Sequence, residues 1–151
     1  MRKTLLLTTA LITVATTAGA QSLQSGSIGG MPYFVLPASG GCSAQTPCSV
    51  VTYLGVQSES SGAIASDVQN HFFGAFAQAN PHTIIIAPEN GQQDATINWD
   101  GYNTPATSEQ AQMVGVVKGV EQQMGNTVNP ADSVVTGGSL GGTGTQAALI
   151  A

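Results

Sequence analysis

Residues 133–144, Ser-Val-Val-Thr-Gly-Gly-Ser-Leu-Gly-Gly-Thr-Gly, set a short β-branched run against a glycine-rich turn, and Thr143 to Ile150 read as the start of a helix behind it. A buried strand that passes into a helix through so short a turn is the repeating unit of an α/β sheet. Within the turn, Gly137-Gly138-Ser139-Leu140-Gly141 fits G-x-S-x-G. A serine nucleophile at the top of a sheet needs a tight strand-to-helix turn with strained backbone angles. Side chains two residues before and two after it would clash there, so Gly137 and Gly141 suit those places. A helix starting behind Ser139 aims its free N–H groups and the positive end of its dipole at a developing oxyanion, with the Leu140 N–H as one donor.

Upstream, the same alternation continues. Pro32 to Pro37, "PYFVLP", is a β-prone run bounded by prolines and reads as an edge strand. Ser49 to Val56, "SVVTYLGV", is apolar almost throughout, which marks a strand buried on both faces. After a polar loop from Gln57 to Gly62, Ile64, Val68, Phe72 and Phe76 recur every four residues and predict one helix ending near Pro81. Thr83 to Ala87, "TIIIA", is a further buried strand stopped by Pro88. Glu89 to Pro105 is a long polar loop, a length that in compact domains usually serves function. It carries Trp99 and Tyr102, which read equally as an aromatic wall for a substrate or as a cover for the sheet edge. Thr107 opens a second helix, with Gln110 closing a capping box, Met113, Val117, Val120 and Met124 as its buried stripe, and Gly125 as its stop.

An Asn129–Asp132 turn then leads into the strand Ser133–Thr136. This order predicts an α/β fold with a largely parallel sheet and flanking helices. Such sheets carry their crevice at the carboxyl ends of the strands, which puts the loops at 55–62, 88–105 and 137–142 on one rim. The loop after Ser49–Val56 is then placed to offer the second oxyanion donor.

Composition narrows the function. Residues 1–20 join a positive Arg2-Lys3 start, a Leu/Ile/Thr stretch and a small Ala18-Gly19-Ala20 site, the layout of a secretory signal peptide cleaved before Gln21. Six threonines (Thr4, Thr8, Thr9, Thr13, Thr16 and Thr17) make that stretch too polar and too short for a spanning helix. Removal of Arg2 and Lys3 leaves Lys118 as the one basic residue against eight acidic ones, and takes the formal charge from −5 to −7. A nucleic-acid partner and a polybasic hold on a membrane are thereby excluded; neutral polymers or esters suit such a surface better than polyanions. Residues 21–30, rich in Ser, Gly and Gln, read as a flexible leader to a domain over 31–151. Cys42 and Cys48 lie in a turn-rich stretch and, in an oxidising compartment, predict one short-range disulfide rather than a metal site. Nothing in the sequence fixes an oligomeric state.

Two rival readings stand beside this one, the first of them on the same residues. Gly138 to Gly144 also fits G-x-x-x-G-x-G, a short-chain-dehydrogenase type of dinucleotide turn, although such a turn normally follows the first strand and needs an acidic residue further on. A non-catalytic secreted binding module built on the Trp99 loop is the other. Glu89, Asp94 and Asp100 on the rim lack the histidines and fixed spacing of a metal site, so neither metal nor cofactor is expected. His71, beside a helix stripe, and His82, at the start of a strand opposite the crevice, read as structural rather than catalytic.

The segments "TIIIAPENG", "NWDGY" and "NTVNPADSVVTGGSLGG" resemble the N-terminal part of the α/β-hydrolase superfamily. The likeness is to the secreted group that holds polyhydroxyalkanoate depolymerases and feruloyl or acetylxylan esterases. The resemblance implies an esterase acting on a polyester or a plant cell-wall ester, with Ser139 as nucleophile and the Leu140 N–H in the oxyanion hole. Many members carry His-Gly after the strand matching Ser49–Val56; here Gly55 takes the glycine place without a histidine before it, and Val56 or Gln57 is the candidate second donor. The family's acid and histidine follow the serine in chain order. No residue from 140 to 151 is acidic or histidine, so the chain reads as an incomplete α/β-hydrolase fold, inactive by itself.

Overall fold

The computed structural model describes residues 21–56, 60–89 and 108–138. The expected signal peptide at 1–20, the capping box opened by Thr107 and the helix at 143–150 lie outside the described residues. Among the described residues five strands form one sheet: β1 (Gln24–Ile28), β2 (Met31–Leu36), β3 (Cys48–Leu54), β4 (Thr83–Pro88) and β5 (Val128–Gly137). Their spatial order is β1-β2-β4-β3-β5. The helices of the described residues are α1 (Ser61–Asn70), α2 (Phe72–Ala79) and α3 (Ser108–Met124), the last running into a 3-10 turn at Gly125–Thr127. Among the described residues no helix is long and apolar enough to cross a membrane.

The sheet is mixed rather than largely parallel. β3 runs parallel to both β4 and β5, whereas β1–β2 and β2–β4 are antiparallel. β2 is the strand that runs against the others, and one of its two antiparallel partners is β1, which lies in the segment read as a flexible leader. Gly29 and Gly30, at φ of 60° and 86°, make a two-residue turn that pairs Ile28 with Met31. Positive φ at both turn residues matches the twist of a hairpin, and a hairpin is antiparallel by construction. Backbone ladder bonds therefore order a stretch whose side chains carry no strand signal. Ile28 also packs on α3, where a Cβ added at Gly119 would come within 2.7 Å of its Cδ1.

Two cores cover the two faces of the sheet. Val50, Leu54, Ile84 and Ile86 pack with Met113, Val116 and Val120 of α3. Val51, Tyr53, Ile85 and Ala87 pack with Ile64 and Val68 of α1 and with Phe73 and Ala77 of α2. Successive residues of β3 and β4 thus serve opposite layers, which is why both strands are apolar without alternation.

The single helix expected over Ile64–Phe76 is two. The chain breaks at His71 (φ −101°, ψ −136°), and the apolar stripe slips by one residue, so Phe73 and Ala77 turn inward and Phe72 is 72% exposed. The break brings the chain onto itself: a Cβ at Gly74 would stand 2.2 Å from the Gln69 carbonyl oxygen. Alanine would gain about 1 kcal/mol in helix propensity. Overlap with fixed backbone outweighs that gain, so Gly74→Ala is expected to destabilise by about 1–2 kcal/mol net in urea unfolding.

Within β5 the expected Asn129–Asp132 turn persists as a bulge. Cys48 pairs with Val128 and Val50 with Ser133, so the intervening residues of β5 bow out of the ladder. Asn129 accepts from the Ala131 N–H at 3.2 Å and donates to Asp132 at 2.7 Å. Between β2 and β3, Cys42 and Cys48 are joined in a disulfide with Cα atoms 5.3 Å apart. So short a loop stabilises modestly: the double Cys42→Ala, Cys48→Ala variant is expected to lose roughly 2 kcal/mol, and reductant should then have no further effect on its unfolding midpoint.

Candidate functional site

Because β4, β3 and β5 are mutually parallel, their carboxyl ends finish at one rim. Leu54 pairs with Gly137, and one residue further on a Cβ at Gly138 would lie 3.4 Å from the Val56 Cγ1. Gly138 is thus walled on one side by the segment that leaves β3. Gly55 is buried and Val56 half-buried, whereas Gly138 is exposed. Gly137 is the last residue of β5. Ser139, Leu140, Gly141, Gln57, Trp99 and Tyr102 lie outside the described residues, as do Asp94 and Asp100.

Neither histidine belongs to this rim. The His82 Nδ1 lies 2.9 Å from the Gly41 carbonyl, just before β4 begins, and the length of that strand puts it about 20 Å from the carboxyl end. His71, at the α1–α2 break, pairs with Asp67 at 2.5 Å, and the other Asp67 oxygen accepts from the buried Tyr53 hydroxyl at 3.5 Å. The i, i+4 spacing of Asp67 and His71 on a helix was the available sequence signal for that pair. No group of three or more His, Cys, Asp or Glu among the described residues could hold a metal.

Glu89 is the carboxylate that the structure does bring to the rim. Its N–H donates to the Pro32 carbonyl at 2.8 Å, and burial pushes its carboxyl up from the ordinary glutamate value. A carboxyl raised on folding costs nothing while protonated in both states, and the folded state loses stability as pH rises through that raised value. Glu89→Gln is therefore expected to raise the urea midpoint at neutral pH while leaving it unchanged in acid.

No protein-family model matches the sequence, and no curated protein matches it. Solved structures do. A thermostable esterase superposes on 86% of this chain and 37% of its own, with a TM-score of 0.56 and 14% identity. An S-formylglutathione hydrolase from Agrobacterium tumefaciens gives 0.51 at 20% identity over 86% of this chain and 52% of its own. The fold is of the α/β-hydrolase type. A dipeptidyl aminopeptidase IV-type protein of Bacteroides ovatus agrees, with a TM-score of 0.52 and 20% identity over 85% of this chain and 19% of its own. The chain thus spans from about a fifth to about half of these three proteins.

Proposed function

We propose that this chain carries the nucleophile-bearing part of a secreted serine ester hydrolase related to the polyhydroxyalkanoate depolymerases and feruloyl esterases. One observation supports the reading above all: three parallel strands end abreast, and the glycines preceding Ser139 stand against the segment after β3. In the mechanism, the Ser139 Oγ attacks the ester carbonyl while a histidine later in the whole protein takes its proton. The Leu140 N–H and an N–H from Gly55, Val56 or Gln57 hold the oxyanion. The histidine returns the proton to the departing alcohol, and water then releases the acid. Polyesters and plant cell-wall esters are the substrates in view, reached after the 1–20 segment has directed export. The test is labelling of the whole protein with a fluorophosphonate and mapping of the adduct. A single adduct on Ser139 is expected; labelling that survives Ser139→Ala would sink the assignment.

A further inference from the structure

A cavity of about 490 Å³ opens at the amino ends of β3 and β4, on the face that α1 and α2 cover and at the opposite end of the strands from the rim. Its volume is that of a small-molecule site. Ser49 and Thr83, paired across the two strands, form its floor with Val51. One wall is the end of α2, where the Asn80 N–H and side-chain amide both donate to the Phe76 carbonyl, at 2.9 and 2.8 Å, and stop the helix. The other wall is β5, whose bulge carries Asp132 out of the ladder and leaves Val134 exposed beside it.

The polar groups of this cavity have bonds still to make. Thr83 is only 6% exposed, yet among the described residues nothing hydrogen-bonds to its hydroxyl or to that of Ser49. A buried hydroxyl without a partner is costly, so in a cavity wall it marks a bond left for whatever enters. One Asp132 oxygen accepts from Asn129 at 2.7 Å; the other, and the Asn80 side-chain oxygen, remain as acceptors. No cationic side chain lines the cavity among the described residues.

We propose that this cavity binds a neutral saccharide unit, a non-catalytic hold that goes beyond the ester-hydrolase reading and does not rest on it. Sugar hydroxyls donate to Asp132 and Asn80 and both donate to and accept from Ser49 and Thr83, which an ammonium group cannot do. The C–H face of the ring rests on Val51 and Phe76. An anion meets Asp132 with no cation to offset it, and a wholly apolar ligand leaves the Thr83 hydroxyl buried and unpaired.

The test is titration of the isotope-labelled whole protein with cellobiose, maltose and xylobiose, followed through amide NMR shifts. Saturable shifts at Ser49, Val51, Thr83 and Val134 are expected with at least one of them, at a Kd on the order of 1 mM. Cellobiouronic acid, which adds one carboxylate to cellobiose, should bind about fivefold more weakly than cellobiose at low salt. Thr83→Val keeps the shape and removes the hydroxyl, so it should weaken binding roughly two- to tenfold while the urea midpoint holds or rises. A lowered midpoint would mean that the hydroxyl is partnered within the fold, and would overturn the proposal. So would the absence of saturable shifts with all of the neutral disaccharides, shifts confined to other residues, unchanged binding by Thr83→Val, or equal affinity for the uronic acid. Should Thr83→Val not fold, Asp132→Asn at an exposed position decides: it should remove the preference for cellobiose over the uronic acid, and a preference that persists would overturn the proposal.

Discussion

Replacing Ser139 by alanine is expected to cut ester hydrolysis by the whole protein about ten-thousand- to million-fold, with KM little changed. The size follows from the role proposed for the hydroxyl. Without the proposed nucleophile no acyl-enzyme would form, and the oxyanion donors and binding groups would be left to assist direct attack by water. Removal of one oxyanion donor costs less, about a hundred- to thousandfold, so the nucleophile stands apart from its surroundings by magnitude alone. The measurement is steady-state release of 4-nitrophenolate, with a pre-steady-state burst in the wild type and none in the variant. A variant within tenfold of the wild type would remove Ser139 from the chemistry. The rivals part from this outcome cleanly: a dinucleotide-binding turn or a binding module predicts no serine-dependent turnover in either protein.

The legible parts of the fold are those whose signal lies in the side chains. "TIIIAP" announces a two-faced buried strand, and β4 is buried from Thr83 to Pro88. β1 was hidden because backbone ladder bonds and the Gly29-Gly30 turn order it, whereas Ser, Gly and Gln at its positions carry no periodicity. The helix stripe misled by one residue at Phe72, since periodicity cannot reveal a break at His71 that resets the phase. On α3 Met113 and Val120 of the expected stripe are buried, but between them it is Val116 that is buried, one position before the expected Val117. As for the candidate site, the end of β5 at Gly137 could be read from the run of β-branched residues before it. The approach of Val56 to Gly138 could not, because it depends on β3 lying between β4 and β5 in space, an order that no local pattern encodes.

Ile86→Ala should have the largest effect on stability, about 2–5 kcal/mol. Ile86 is fully buried in the centre of the sheet, paired across β4 with Val35 of β2 on one side and Thr52 of β3 on the other. Its side chain fills the layer beneath Met113, Val116 and Val120 of α3. How far such a site can collapse sets the cost within that range. Here both flanking strands are held by their ladders, so the cavity closes only if α3 moves, and a value in the upper half is expected. At roughly 4 °C per kcal/mol for a domain of this size, the midpoint of thermal unfolding should fall by more than about 10 °C. Val134→Ala provides the contrast: it removes two methyl groups from a side chain 57% exposed on β5, and should stay within about 0.5 kcal/mol. Equal losses in the two variants would mean that α3 does not cap the sheet as described. A large loss confined to Ile86 would tie the integrity of the rim to the same contacts, because β4 carries Glu89 at its end and lies between the hairpin strand β2 and the site strand β3.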